Sequence, residues 1–211
     1  MTPSAHLAAL ALADRELAAT DPLMRRLIAR HGPCTLKPHW RRGPYESLVR
    51  AVMHQQLHGN AAAAILARFV ALHPGSRFPA PVDVLGTSDV ALRGAGLSRQ
   101  KISYVRAIAE AAAAGVVPVS RSGISRLDDE AIIGRFTQVR GVGRWTVEMF
   151  LIFGLGRLDV LPIDDYGVRA GFLRHARGRD DIKPRELGVH GARWAPYRSV
   201  AAWYLWRAVE V

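Results

Sequence analysis

Helical periodicity runs through nearly every long segment of this chain, and no stretch sustains the two-residue alternation that a half-buried strand requires. After Pro44, apolar side chains fall at Tyr45, Leu48, Val49, Val52 and Met53. That i, i+3, i+4, i+7, i+8 spacing places one apolar stripe on one helical face, and a proline suits the first turn because its missing N–H has no partner there. Gly59 interrupts the pattern before a second helix through Ile65, Leu66 and Phe69. Ser98 is a good N-cap for a helix through Ile102, Val105 and Ala109 towards Gly115. Asp128 and Asp129 open a helix carrying Ile132, Ile133 and Phe136, and another apolar helix runs from Arg144 to Leu155. Asp164 or Asp165 caps a helix through Val168 and Phe172, and Pro196 opens a last helix that is apolar almost all round, with Val200, Trp203, Tyr204, Leu205 and Trp206. Segments 73–81, 116–125 and 176–186 read as connections, the last of them polar and exposed. The expected class is all-α.

A chain of 211 residues, 49% of them apolar, suffices for one large domain or two small lobes. No run of apolar residues is long enough to span a membrane, and the first twenty residues lack a basic leader and carry Asp14 and Glu16, as a surface helix does. The single cysteine, Cys34, excludes an internal disulfide and any four-cysteine metal or iron–sulfur site. A reducing cytoplasmic setting fits, as at a bacterial nucleoid. The net charge of +11 favours a polyanionic partner, most simply nucleic acid. A GC-rich genome that inflates arginine would give the same bias, since only Lys37, Lys101 and Lys183 are lysine.

The informative stretch is VRGVGRWTVEMFLIFGLGRLDVLPIDDYGVR, from Val139 to Arg169. In its first half a helix ends, Gly141-Val142-Gly143 turns the chain, and a second helix begins. Glycines allow positive φ and a close approach of backbone to another molecule. The amide groups at the new helix start carry the positive end of the dipole, which suits a phosphate and reads no base sequence. An ordinary helix–helix turn has the same composition.

The whole stretch resembles the helix-hairpin-helix DNA glycosylases, a superfamily with a glycine-rich hairpin followed by an essential aspartate, and within it the alkylpurine glycosylases of the 3-methyladenine DNA glycosylase II kind. RAVMHQQLHGNAAAAIL (50–66), LRGAGLSRQKISYVRAIA (92–109), GVGRWTVE, DVLPIDDYGVR and WAPYRSVAAWYLW follow the family's order over residues 20–207. The resemblance implies one glycosylase unit of two helical lobes flanking a DNA-binding and base-binding cleft, with approximate lobes 35–125 and 1–34 plus 126–211, the second holding the hairpin. It implies duplex DNA with damaged bases as partner, no membrane, a monomer, and no extra N-terminal domain.

The resemblance also assigns roles. Asp165 matches the catalytic aspartate, which stabilises the positive charge that develops at C1′ as the glycosidic bond breaks, or orients the attacking water; Asp164 takes the capping role. Trp145 stands where strand-nicking relatives carry a nucleophilic lysine, so no Schiff base can form and an intact abasic site is expected. Trp145 and Trp206 match tryptophans that line the base pocket, where aromatic faces attract a positively charged N-alkylated purine; Trp206 also reads as core. Met149, at the same pocket, departs from the aromatic residue of some relatives. Gln55, Gln56 and Leu57 match the region that plugs the gap left by a flipped nucleotide, with Gln56 and Leu57 both open as the wedge. His58 departs from a frequent serine. Gly141, Gly143, Arg144 and Thr146 fall in the hairpin's DNA contact, and Arg99, Lys101 and Arg144 are candidate phosphate ligands or plain surface charges. No metal or cofactor is expected, apart from a monovalent cation that the hairpin carbonyls suit. A non-catalytic hairpin module that only grips DNA would need the glycines and the charge, but has no use for Asp165 or a tryptophan slot.

Overall fold

A computed structural model describes residues 2–55, 59–175 and 181–209, and every regular element among them is helical. In chain order these are α1 (Pro3–Thr20), α2 (Pro22–His31), α3 (Pro44–His54), α4 (Gly59–Ala71), α5 (Pro81–Gly86), α6 (Asp89–Gly94), α7 (Arg99–Ala113) and α8 (Asp129–Phe136). After the hairpin come α9 (Arg144–Met149), α10 (Tyr166–Leu173), α11 (Pro184–Gly191) and α12 (Arg198–Val209). The single helix expected from Arg144 to Leu155 is in fact two forms, α9 and a wider π-helical turn over Phe150–Leu155. The last helix starts at Arg198, two residues after Pro196.

The chain divides into two compact units, Met1–His39 with Leu151–Val211, and Trp40–Phe150. The hairpin and the two helices it joins thus belong with α3–α7, not with the chain ends as the lobes read from sequence had it. The reason lies in the segment after α7: Val117 and Ile124 are buried, so what reads as a linker is interior. α9 packs on both α3 and α8, and the Phe136 and Phe150 rings meet at 5.8 Å.

Within the Trp40–Phe150 unit, the stripe Tyr45, Leu48, Val49, Val52 and Met53 is wholly buried, with α7 supplying Ile102, Val105, Ile108 and Ala109 to the same core. Glu46 is buried as well, and its carboxylate accepts from Arg50 Nε at 2.9 Å and from both terminal nitrogens of Arg77. A buried charge is tolerable only when its lone pairs are matched in this way.

In the other unit, α1 turns His6, Leu10, Ala13 and Leu17 inwards, and α12 is enclosed on nearly all sides. The buried Asp21 N-caps α2 through Oδ1, 2.6 Å from the Leu23 amide, while its Oδ2 accepts the Trp194 indole N–H at 2.8 Å. α10 and α12 lie very close, because a Cβ on Gly171 would sit 2.0 Å from the Leu205 carbonyl oxygen. Only a glycine permits that approach, which sets the start of α10 beside Trp206. The segment 176–186, read as polar and exposed, runs into the first turn of α11, which Pro184 opens; Ile182 within it is buried, as is Leu187 just beyond it. Residues 176–180 lie outside those described.

Candidate active site

The hairpin is built by two glycines that do different jobs. Gly141 has φ +85°, and a Cβ there would lie 2.2 Å from the Tyr104 ring of α7, so conformation and space both require glycine. Gly143 has φ −87° and is the N-cap of α9; a Cβ would meet nothing within 4 Å. The positive φ that glycine allows is therefore used at Gly141 alone. No side chain caps α9, whose N-cap is Gly143.

Several charged and polar residues expected to meet DNA turn out to have work inside the unit. Arg144 donates from Nε to Glu148 at 3.1 Å and from both terminal nitrogens to Glu130. Its hydrogen bond to Glu130 raises the guanidinium pKa and lowers that of the carboxylate. The charge of Arg144 is thus matched by two carboxylates before any ligand arrives. Thr146 is buried, its Oγ1 accepting from Gln55 Nε2 at 3.4 Å, which ties the C-cap of α3 to the start of α9. Lys101 Nζ donates to the Met53 carbonyl at 2.6 Å, and burial lowers its pKa. Arg99 is exposed at the first turn of α7. Trp145 is 37% exposed and Met149 half-buried. Gln56, Leu57 and His58 lie outside the described residues.

In the other unit, Asp165 is both the candidate catalytic group and the N-cap of α10, so the capping role expected of Asp164 belongs to its neighbour. The reason is geometric: an N-cap oxygen reaches the amide three residues on, and Val168 donates to Asp165 Oδ1 at 2.8 Å. The same oxygen accepts the Trp206 indole N–H at 2.9 Å. Two fixed donors, one from backbone and one from a rigid ring, set the orientation of a half-buried carboxylate.

Trp206 is half-buried, and its ring stacks on Phe153 with centroids 5.6 Å apart and planes 29° from parallel. Glycine at 167 makes this possible, since a Cβ there would lie 2.9 Å from Trp206 Cδ1 and 3.2 Å from Asp165 Oδ1. Phe153 and Gly167 were not singled out in the sequence. Phe153 is one of many aromatics in an apolar run, and Gly167 follows the DDY triplet without a turn signature. Among the described residues no group of histidine, cysteine or carboxylate side chains is placed to hold a metal ion, and no helix is long and apolar enough to cross a membrane.

A glycine hairpin thus opens one helix and an indole-held aspartate another, in the order expected of a helix-hairpin-helix base-excision protein. Residues 49–196 match the HhH-GPD superfamily base excision DNA repair proteins, and the chain belongs to that family. Among its relatives, DNA-3-methyladenine glycosylase 1 of Schizosaccharomyces pombe is 39% identical over 207 residues, covering 96% of this chain and 89% of that protein. The structure of the 3-methyladenine DNA glycosylase from the same yeast, in complex with abasic DNA, superposes with a TM-score of 0.86 at 38% identity, over 94% of this chain and 97% of that one. A DNA-3-methyladenine glycosidase from Bacillus halodurans gives a TM-score of 0.80 at 35% identity, over 93% of this chain and 88% of the other.

Proposed function

We propose that this protein is a monofunctional DNA glycosylase that releases N3- and N7-alkylated purines from duplex DNA by hydrolysis. The observation that carries the reading is Asp165, pinned at the head of α10 by the Val168 amide and the Trp206 indole. A module that merely holds DNA has no use for a carboxylate so fixed, and the relatives named above are 3-methyladenine glycosylases.

In this reading the amides at the start of α9 take a backbone phosphate, reading no sequence. The lesion leaves the base stack, which a damaged base does at least cost. Trp145, Trp206 and Met149 are the side chains assigned to it, the indoles attracting a cationic purine by about 0.5–2 kcal/mol. Such a base is already a good leaving group, so protonation by a general acid is dispensable. Asp165 stabilises the sugar's oxocarbenium character as the C1′–N bond lengthens, and water then adds at C1′ to leave an abasic site. With tryptophan at 145 there is no amine in the hairpin to attack C1′. The wedge, Gln56 or Leu57, is part of the same proposal, as are a monomeric state and the absence of a cofactor other than a cation on the hairpin carbonyls.

Asp165→Asn tests it cleanly. Asparagine caps helices as well as aspartate does and keeps an oxygen for both donors, so the variant removes charge without removing the cap. Release of methylated purines is expected to fall by about a hundredfold or more, with duplex binding retained and no adduct trapped by borohydride in either protein. Undiminished release, or a trapped adduct, overturns the assignment.

A further inference from the structure

A cavity of about 490 Å³ lies at the N-terminal end of α3, on residues to which the proposed function gives no role. α3 is 11 residues long, so this cavity is about 16 Å along the helix from Gln55. It is a built feature. Gly43 brings the two loops that frame it into contact, since a Cβ there would lie 1.7 Å from the Val119 carbonyl oxygen, and Tyr45 N donates to the Pro118 carbonyl at 3.2 Å.

Its walls hold more positive charge than the fold consumes. Of the lining arginines, Arg77 is bound to Glu46, and Arg121 stacks over Trp40 at 5.2 Å while donating to its carbonyl. Glu46 is the one lining carboxylate, and it already serves Arg50 and Arg77. The guanidinium of Arg42, half-buried, has no hydrogen-bond or ion-pair partner among the described residues, and neither has that of the exposed Arg41. Burial, then the neighbouring Arg50 and Arg77, hold the Arg42 guanidinium below its ordinary pKa against the opposing pull of Glu46. A second observation points the same way. Tyr45 also lines the cavity, is 2% exposed, and its hydroxyl is buried without a partner. A buried hydroxyl left unpaired costs free energy that a ligand oxygen would recover.

We propose that this cavity binds a small organic phosphate, with Arg42 as its principal donor, Arg41 at its mouth and the buried Tyr45 hydroxyl turning to the ligand as it binds. A phosphate monoester carries up to two negative charges near neutral pH, enough to balance the unmatched guanidiniums. Its planar oxygen pairs suit the arginine fork, and Trp40 and Phe78 offer apolar wall to the organic part. The volume is of the size that small-molecule sites have.

Titration calorimetry on the whole protein at constant ionic strength, with inorganic phosphate, adenosine 5′-monophosphate and adenosine as probes, tests this. Saturable binding of the nucleotide, with weaker binding of phosphate and none of adenosine, is expected; equal binding of phosphate and nucleotide assigns the site to the free anion and overturns the organic-ligand part. Arg42→Gln is expected to weaken nucleotide binding about tenfold or more, since a charge-assisted hydrogen bond is lost. Tyr45→Phe is expected to weaken it several-fold while leaving Tm of the ligand-free protein unchanged or higher. Duplex affinity and base release stay as in the wild type. Absence of saturable binding, undiminished affinity in Arg42→Gln, or a parallel loss of duplex affinity overturns the proposal.

Discussion

Trp206→Phe separates two things an indole can do beside the carboxylate proposed to be catalytic, that of Asp165. Phenylalanine keeps a ring against Phe153, which lies 5.6 Å away, and loses only the N–H that reaches Asp165 Oδ1 at 2.9 Å. The Val168 amide still holds the same oxygen, so α10 keeps its cap. A hydrogen bond to a charged group is worth about 1.5–3 kcal/mol, and at about 1.4 kcal/mol per decade the chemical step should slow by about 10- to 150-fold. The assay is single-turnover release of methylated purine from duplex DNA with enzyme in excess, alongside anisotropy for duplex binding. The expected pattern is a slower maximal rate with duplex affinity changed less than about threefold. A variant whose maximal rate is intact and whose only defect is weaker binding would refute the reasoning, because it would make Trp206 a wall of the base pocket and nothing more.

Gly141→Ala forces a left-handed φ on alanine and drives its Cβ into the Tyr104 ring, so stability should drop by about 2–4 kcal/mol in denaturant unfolding. Adding Tyr104→Ala should recover only part of that loss, the backbone strain remaining; full recovery would show that space alone matters. Trp194→Phe deprives the buried Asp21 carboxylate of its 2.8 Å indole donor and should cost about 1–3 kcal/mol; an unchanged urea midpoint would count against it. Burial pushes the Cys34 thiol up to about 12 from an ordinary 9.0, so Ellman's reagent should not label it until the protein unfolds. Because the folded pKa is the higher one, the stability this burial contributes is present below the unfolded value and is lost as pH rises from about 9 towards about 12. Tm should therefore fall across that window, and less steeply in Cys34→Ala; parallel curves for the two proteins would contradict this.

The helices themselves were legible because a 3.6-residue period is a local property. Tyr45, Leu48, Val49, Val52 and Met53 sit on one face by arithmetic, and all five are buried. α11 escaped notice because Leu187 and Gly191 are its only buried positions, too few to set a stripe against Pro184, Arg185 and Glu186. The short α5 and α6, at six residues each, are below the length at which a period can be read. The choice between Asp164 and Asp165 turned on which oxygen meets the Val168 amide, a matter of backbone placement that composition leaves open.

What the order of residues determined by itself is the all-helical class, the hairpin, and the family to which the chain belongs. What only tertiary structure decided is which partner each side chain keeps. Arg144 is occupied by Glu130, Lys101 by the Met53 carbonyl, and the Asp165 carboxylate by an indole 41 residues on. Those pairings depend on how closely whole helices approach, as α10 and α12 do across Gly171. A period in the sequence records which face of a helix is apolar; the element that will cover it lies too far along the chain for any local window to report.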